Sequence, residues 1–261
     1  MLTKNIIKEF EKEGYRFTGK NSAVKICNWT KKSLKNEGEC YKQKFYGIQS
    51  HRCAQISCSL FNCQNKCLHC WRNLNHTYNC KDIEFDEPMQ VIENAIKEQQ
   101  KILKGFGGNK KVDWEKYKES MQPTQFAISL AGEPTLYPKL GELIKELRKQ
   151  KKTSFLVTNG LLPEVLKKLD KEKALPTQLY ISLNYPNEKI FRKITQNKAK
   201  NAWEKFLDSL ELMRKLKNKT RRVLRMTLVR DLNMENEKEY TNLIKKAEPD
   251  FVEIKGFVSV G

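Results

Sequence analysis

The sequence predicts an α/β fold in which helices alternate with the strands of a parallel sheet, closed or curved into a barrel. Three observations carry that expectation. Six short runs of strand-like composition recur between residues 54 and 255. Segments with apolar residues at helical spacing separate them. Each chemically suggestive motif falls just after a strand. Parallel neighbours need crossover connections, which are right-handed, and chemistry in such folds gathers at the C-terminal strand ends.

In chain order, residues 2–13 place Leu2, Ile6, Ile7 and Phe10 on one helical face, and Gly14 stops that helix. Residues 18–53 show little periodicity but hold Cys27, Cys40 and Cys53. Strands are expected over 54–58, 125–130, 153–158, 178–183, 222–229 and 251–255. Helical patterns lie near 88–104, 138–150, 163–170, 186–216 (as two helices) and 236–247. Asp86 with Pro88, and Tyr137 with Pro138, mark helix starts, because proline is tolerated in a first helical turn. Ala202, Phe206, Leu210, Met213 and Leu216 form a stripe that reads as ordinary core. The division expected is an N-terminal segment, 1–53, packed on a barrel, 54–261, within a single structural domain.

Directly after the first strand comes Cys63-Gln-Asn-Lys-Cys67-Leu-His-Cys70, a C-x3-C-x2-C loop. Three thiolates hold three irons of a cubane cluster and leave the fourth open to a ligand from outside the protein, whereas a structural cluster usually takes four cysteines. Zinc is the rival, because Cys63, Cys67 and Cys70 with His69 or His76 would make a Cys3His site. Ala131-Gly132-Glu133-Pro134 follows the second strand, Asn159-Gly160 the third, and Ser182-Leu183-Asn184 closes the fourth. Each alone is ordinary turn chemistry. Their placement on one rim is the stronger signal.

At 261 residues with 39% hydrophobic content, the chain is long enough for one large domain with a core. Fifty Lys and Arg against 31 Asp and Glu give a formal net charge of +19, an excess that favours a polyanionic partner such as nucleic acid. No compact basic tail carries that excess. The N-terminus has no apolar core of signal-peptide length, and no segment approaches a membrane span. Eight cysteines without a secretory signal fit a reducing cytoplasm, with thiols kept for metal.

On these residues the chain resembles the radical S-adenosylmethionine (SAM) enzymes, whose signature is a C-x3-C-x2-C loop after the first strand of a partial (β/α)6 barrel. The resemblance covers roughly residues 54–261. It implies a [4Fe-4S] cluster on Cys63, Cys67 and Cys70, with SAM chelating the open iron. Gly132-Glu133-Pro134 matches the motif that grips the SAM amino group, with Ala131 where a first glycine is common. Ser182 and Asn184 fall where the family contacts the ribose, and Asn159 lines the same pocket. A narrower resemblance rests on Cys27, Cys40 and Cys53, each pair separated by twelve residues, and on residues 251–261. It is to the 4-demethylwyosine synthases, which build the tricyclic wyosine base in tRNA. In that family three N-terminal cysteines hold a second [4Fe-4S] cluster with an unligated iron, making residues 1–53 a cluster-binding extension. A final helix normally follows the last strand; this chain stops at Gly261.

The resemblance implies a specific reaction. SAM is split to methionine and a 5′-deoxyadenosyl radical, which takes hydrogen from the N1-methyl group of a guanosine beside the anticodon of tRNA. The carbon radical attacks pyruvate, which contributes two carbons and loses its carboxyl group, and ring closure gives 4-demethylwyosine. Lys42 corresponds to the lysine expected to form a Schiff base with pyruvate. That chemistry needs a neutral amine, which burial or neighbouring positive charge favours. Chelation of pyruvate by the second cluster is the other route, with Lys42 neutralising its carboxylate. An electron donor such as a flavodoxin or ferredoxin is implied, and the enzyme is expected to be a monomer.

Arg225, alternating with apolar neighbours on the fifth strand, is expected to meet a carboxylate of SAM or substrate, or to satisfy a buried acid. Trp71 is a candidate to stack near adenine or to pack in the core, and His51 is a structural hydrogen-bond donor. Cys58 and Cys80 fit neither triplet and are read as free thiols. Lys31-Lys32, Lys151-Lys152, Lys167-Lys168 and Arg221-Arg222 are candidate phosphate contacts. Two other classes remain: a radical SAM enzyme acting on a protein or peptide with an electron-relay cluster, and a zinc-stabilised nucleic-acid binder. The charge excess speaks against the first.

Overall fold

The computed structural model describes residues 3–72, 74–76 and 84–258. Cys80 and the last three residues of the 251–261 stretch therefore lie outside the described residues. Eight strands follow one another in chain order in a mixed sheet, and the chain divides into two compact units.

The first unit takes residues 1–60, 80–132 and 137–155. Its opening helix α1, Lys4–Lys12, is capped by Thr3, whose hydroxyl accepts from the Ile6 amide. It buries Phe10 edge-on against Tyr15 and Phe17. Two short strands follow, β1 (Arg16–Phe17) and β2 (Ala23–Lys25); β2 is antiparallel both to β1 and to β3, Cys53–Ser57. β3 then runs parallel to β4, Gln125–Ile128. Asp86, expected to open a helix, instead clamps the β1–β2 turn. Its carboxylate accepts from the amides of Lys20 and Asn21 and from the Ser22 hydroxyl. Gly19 permits that approach, since a Cβ there would lie 2.2 Å from the carboxylate.

The stretch between 18 and 53 is more ordered than its weak periodicity suggests. It contains helices α2, Asn28–Leu34, and α3, Tyr41–Tyr46, each too short to show an apolar stripe. Helix α4, Pro88–Lys104, starts with proline in its first turn as expected, whereas α5, Trp114–Ser120, has no counterpart in the sequence reading. Helix α6, Leu140–Lys149, opens two residues after Pro138. Strand β5 is Thr153–Thr158, the span read from sequence.

The second unit takes residues 61–79, 133–136 and 156–261. Helix α7 (Pro163–Lys171) leads to β6 (Gln178–Ser182), which runs parallel to β7 (Arg221–Leu228). Between them lie α8 (Glu188–Thr195) and α9 (Ala202–Lys215), the two helices expected there. Helix α10 (Glu237–Ala247) leads to β8 (Phe251–Gly256), parallel to β7. Ala202, Phe206, Leu210, Met213 and Leu216 are buried, as a core stripe should be. The Arg221-Arg222 pair is corrected: Arg222 is 1% exposed and its guanidinium grips Asp250, so it is no phosphate contact. No described helix is long and apolar enough to cross a membrane.

Candidate active site

In the second unit, the cysteine loop is held by partners far away in sequence. Backbone amides of Lys66 and Leu68 donate to Thr195 and Ile194 at the end of α8. Asn197 Nδ2 reaches Asn65 Oδ1 at 2.8 Å, Asn159 Nδ2 reaches Gln64 Oε1 at 3.1 Å, and Asn184 Nδ2 lies 3.2 Å from His69 Nε2. Asn159 and Asn184, expected around SAM, thus also tether this loop.

Its three thiols act on one another. Burial pushes Cys67 up to about 12, with Cys63 and Cys70 adding to the rise and Arg72 opposing it. Cys63 is raised by burial too. Arg72 Nε donates to Cys70 Sγ at 3.0 Å. Although burial alone would lower the guanidinium, the two sulfurs hold it charged. Three neighbouring, partly buried thiolates repel each other unless positive charge joins them, and a metal centre supplies it. No three described His, Cys, Asp or Glu side chains converge as a single-ion site. A cubane takes each thiolate on a separate iron, and so from wider apart. This donor set fits a three-cysteine cluster.

Glu133 is 3% exposed. One carboxylate oxygen accepts from the Thr135 amide (3.1 Å), the Thr135 hydroxyl (2.6 Å) and the Thr158 hydroxyl (2.6 Å). The other accepts from the Asn159 amide at 2.8 Å and keeps acceptor capacity for a further donor such as an ammonium. Burial raises its carboxyl above the ordinary range, and those four donors oppose the rise. The turn after Asn159 depends on Gly160 at φ +76, where a Cβ would lie 3.1 Å from Ile181. Ser182 ends β6 opposite Arg225 of β7. Arg225 lies 3.5 Å from Glu253 on β8, so it pairs with a partly buried acid. Trp71 is 40% exposed and is not a core residue.

In the first unit, Cys27 and Cys40 are the N-cap residues of α2 and α3, and Cys53 begins β3. The Cys27 sulfur accepts from the Thr30 amide at 3.4 Å and so caps the first turn of α2. Burial pushes Cys53 up to about 12, Cys27 and Cys40 raise it further, and Lys42 opposes them. All three cysteines and Lys42 thus share one neighbourhood. Lys42 is buried, its Nζ 5.0 Å from the Phe155 ring centroid. His51 pairs with Glu119, in line with a structural role. Cys58 is buried.

Sequence reasoning missed Arg72, Gln64 and Asn197. Arg72 stands two residues after a cysteine, a spacing that by itself signals nothing, and Asn197 is joined to the loop only by the fold.

A three-cysteine loop after one strand and a buried glutamate after the next in sequence define a radical SAM domain, and the radical SAM superfamily matches residues 59–244. Over all 261 residues the chain is 44% identical to the S-adenosyl-L-methionine-dependent tRNA 4-demethylwyosine synthase of Pyrococcus horikoshii, covering 76% of that protein. It is 38% identical to the enzyme of that name from Methanocaldococcus jannaschii, covering 100% of this chain and 82% of the relative. A solved structure of TYW1 with a lysine-pyruvate adduct bound superposes with a TM-score of 0.88 at 38% identity, covering all of this chain and 83% of that one. The chain belongs to the tRNA 4-demethylwyosine synthase family.

Proposed function

We infer that this protein is a radical SAM enzyme of wyosine biosynthesis, condensing N1-methylguanosine beside the anticodon of tRNA with pyruvate to form 4-demethylwyosine. The observation that carries the reading is 44% identity to a 4-demethylwyosine synthase across the whole chain. Cys63, Cys67 and Cys70 would hold one [4Fe-4S] cluster and Cys27, Cys40 and Cys53 a second. What the first cluster supplies when bound is an electron to SAM, whose cleavage makes the radical that takes hydrogen from the methyl group. Glu133 accepts the SAM ammonium on its less occupied oxygen. Asn159, Ser182, Asn184 and Arg225 orient the rest of SAM, with Arg225 divided between that task and Glu253.

Lys42 is the proposed catalytic amine. Its nitrogen adds to the pyruvate ketone and water leaves, giving a Schiff base that fixes the acceptor carbon. Its burial and the nearby aromatic ring exclude the water that would reverse the step. The solved relative with a lysine-pyruvate adduct supports this over chelation alone. We read residues 1–53 as the second-cluster segment and 54–261 as the barrel, in a cytoplasmic monomer served by a flavodoxin- or ferredoxin-like donor.

The test is anaerobic incubation of iron-loaded protein with SAM, pyruvate, reductant and methylated tRNA, then nucleoside mass analysis. 4-Demethylwyosine should appear, and borohydride should trap pyruvate on wild type but not on Lys42→Ala. Absence of that nucleoside, with SAM cleaved, would turn the assignment toward a protein or peptide substrate.

A further inference from the structure

Within the second unit, a cleft of about 610 Å³ opens beside the cysteine loop. Its cations are Lys66, from between Cys63 and Cys67, Lys198, from the α8–α9 connection, and Lys205 of α9. Leu161 and Leu162, immediately after Asn159-Gly160, add apolar lining. Amide side chains, Gln64 and Asn201 among them, complete it, and no acidic residue contributes among the described residues.

Two features distinguish this cleft from a solvated lysine surface. Its cations are nearly unspent. Among the described residues neither Lys66 nor Lys198 forms an ion pair, and Lys205 lies 4.0 Å from an exposed Glu164, a contact worth little in water. Its wall is also rigid. The Arg192 guanidinium donates to the carbonyls of Asn197, Ala199 and Lys200, and Asn197 Oδ1 accepts from the Ala199 amide at 3.0 Å. A ligand seated there meets a preformed surface, so little ordering cost is added on binding. The amide nitrogen of Gln64 is buried without a hydrogen-bond partner, leaving a donor to spare at the edge of the cysteine loop.

We propose that this cleft is where the sugar–phosphate backbone of the substrate RNA docks, next to the target nucleotide; the proposal rests on the reading of the protein as a tRNA-modifying enzyme. Ammonium groups suit phosphates, side-chain amides suit phosphate oxygens and 2′-hydroxyls, and the leucines suit a ribose or base face. The same wall is bonded to the cysteine loop through Asn197 and Asn65 and through the Lys66 amide. RNA held there is in register with the loop that would carry the cluster. The net charge of +19 supplies long-range attraction, and this cleft supplies the place.

Equilibrium binding of unmodified tRNA to iron-loaded protein, measured across a salt series, tests it. Reversing two charges in Lys198→Glu/Lys205→Glu should weaken binding by about tenfold or more and flatten the log–log salt dependence by roughly 1.4, about 0.7 per lost phosphate contact on single-stranded RNA. Iron content and circular dichroism should stay at wild-type values. The exposed single variant Lys198→Ala, which perturbs no packing, should give about half that change in slope. A control with the same charge change elsewhere, Lys101→Glu/Lys149→Glu, should keep the wild-type slope. Unchanged binding in the cleft variants, or an equal loss in the control, overturns the cleft as the docking site while leaving the tRNA reading intact. Wild-type protein that binds no tRNA at all would bring down both.

Discussion

Arg222 lies on β7 with its guanidinium donating to Asp250 through Nε and Nη2 and to the carbonyls of Met213 and Arg214 through Nη1. The sequence offers two adjacent arginines as equals, and only burial separates them. Along a strand, successive side chains point to opposite faces; Arg221 is exposed and Arg222 is not. Truncating Asp250 to alanine would strand a buried positive charge, and about 3 kcal/mol of stability should be lost, near the low end for a broken buried pair because Asp250 is itself a third exposed. Chemical denaturation measures that loss. Burial pushes the Asp250 carboxyl up, but the Arg222 hydrogen bonds and charge outweigh it and hold the group below its usual range. A depressed folded value means the contribution is fully present above about pH 4 and disappears as pH falls through the folded value. Wild type should therefore lose stability more steeply than Asp250→Ala on acidification below pH 4, and equal slopes would contradict the pairing.

At the level of elements, the cysteine loop is held by amide side chains 95 to 132 residues away in sequence. Asn197 matters most, because it serves Asn65, Gln64 and its own turn at once. Asn197→Ala leaves Asn65 Oδ1 short of that donor in a buried place, at a cost of about 1–3 kcal/mol. Iron taken up per chain on anaerobic reconstitution should fall, while SAM-independent secondary structure persists in circular dichroism. Wild-type iron uptake would mean that the loop is organised by metal alone. Long amphipathic elements such as α4 and α9 were legible because their period spans several turns. Helices α2, α3 and α5, six or seven residues each, are not, since one apolar contact per turn forms no stripe. Their positions follow from packing, as when Leu34 of α2 and Leu103 of α4 meet in one buried cluster.

For the whole molecule, the two cysteine triplets fall in different compact units, so each should load independently. Cys67→Ala should lose about half the bound iron and all SAM cleavage, whereas Cys40→Ala should lose the other half, keep some uncoupled cleavage and form no product. Iron analysis with deoxyadenosine quantitation checks both, and full product from Cys40→Ala would refute a second catalytic cluster. The order of the six strands from β3 to β8 and of the longer helices, the cysteine spacings, the motifs at strand ends and the charge excess were all set by sequence alone. Each depends on neighbours within a few residues or on composition, which a linear reading captures. The fold alone decided that Asp86 clamps a turn, that Arg222 is buried, that Asn197 braces the cysteine loop and that Lys66, Lys198 and Lys205 line one cleft. Those relations join residues tens to more than a hundred positions apart, and nothing local in the chain encodes which of its many lysines and asparagines will meet.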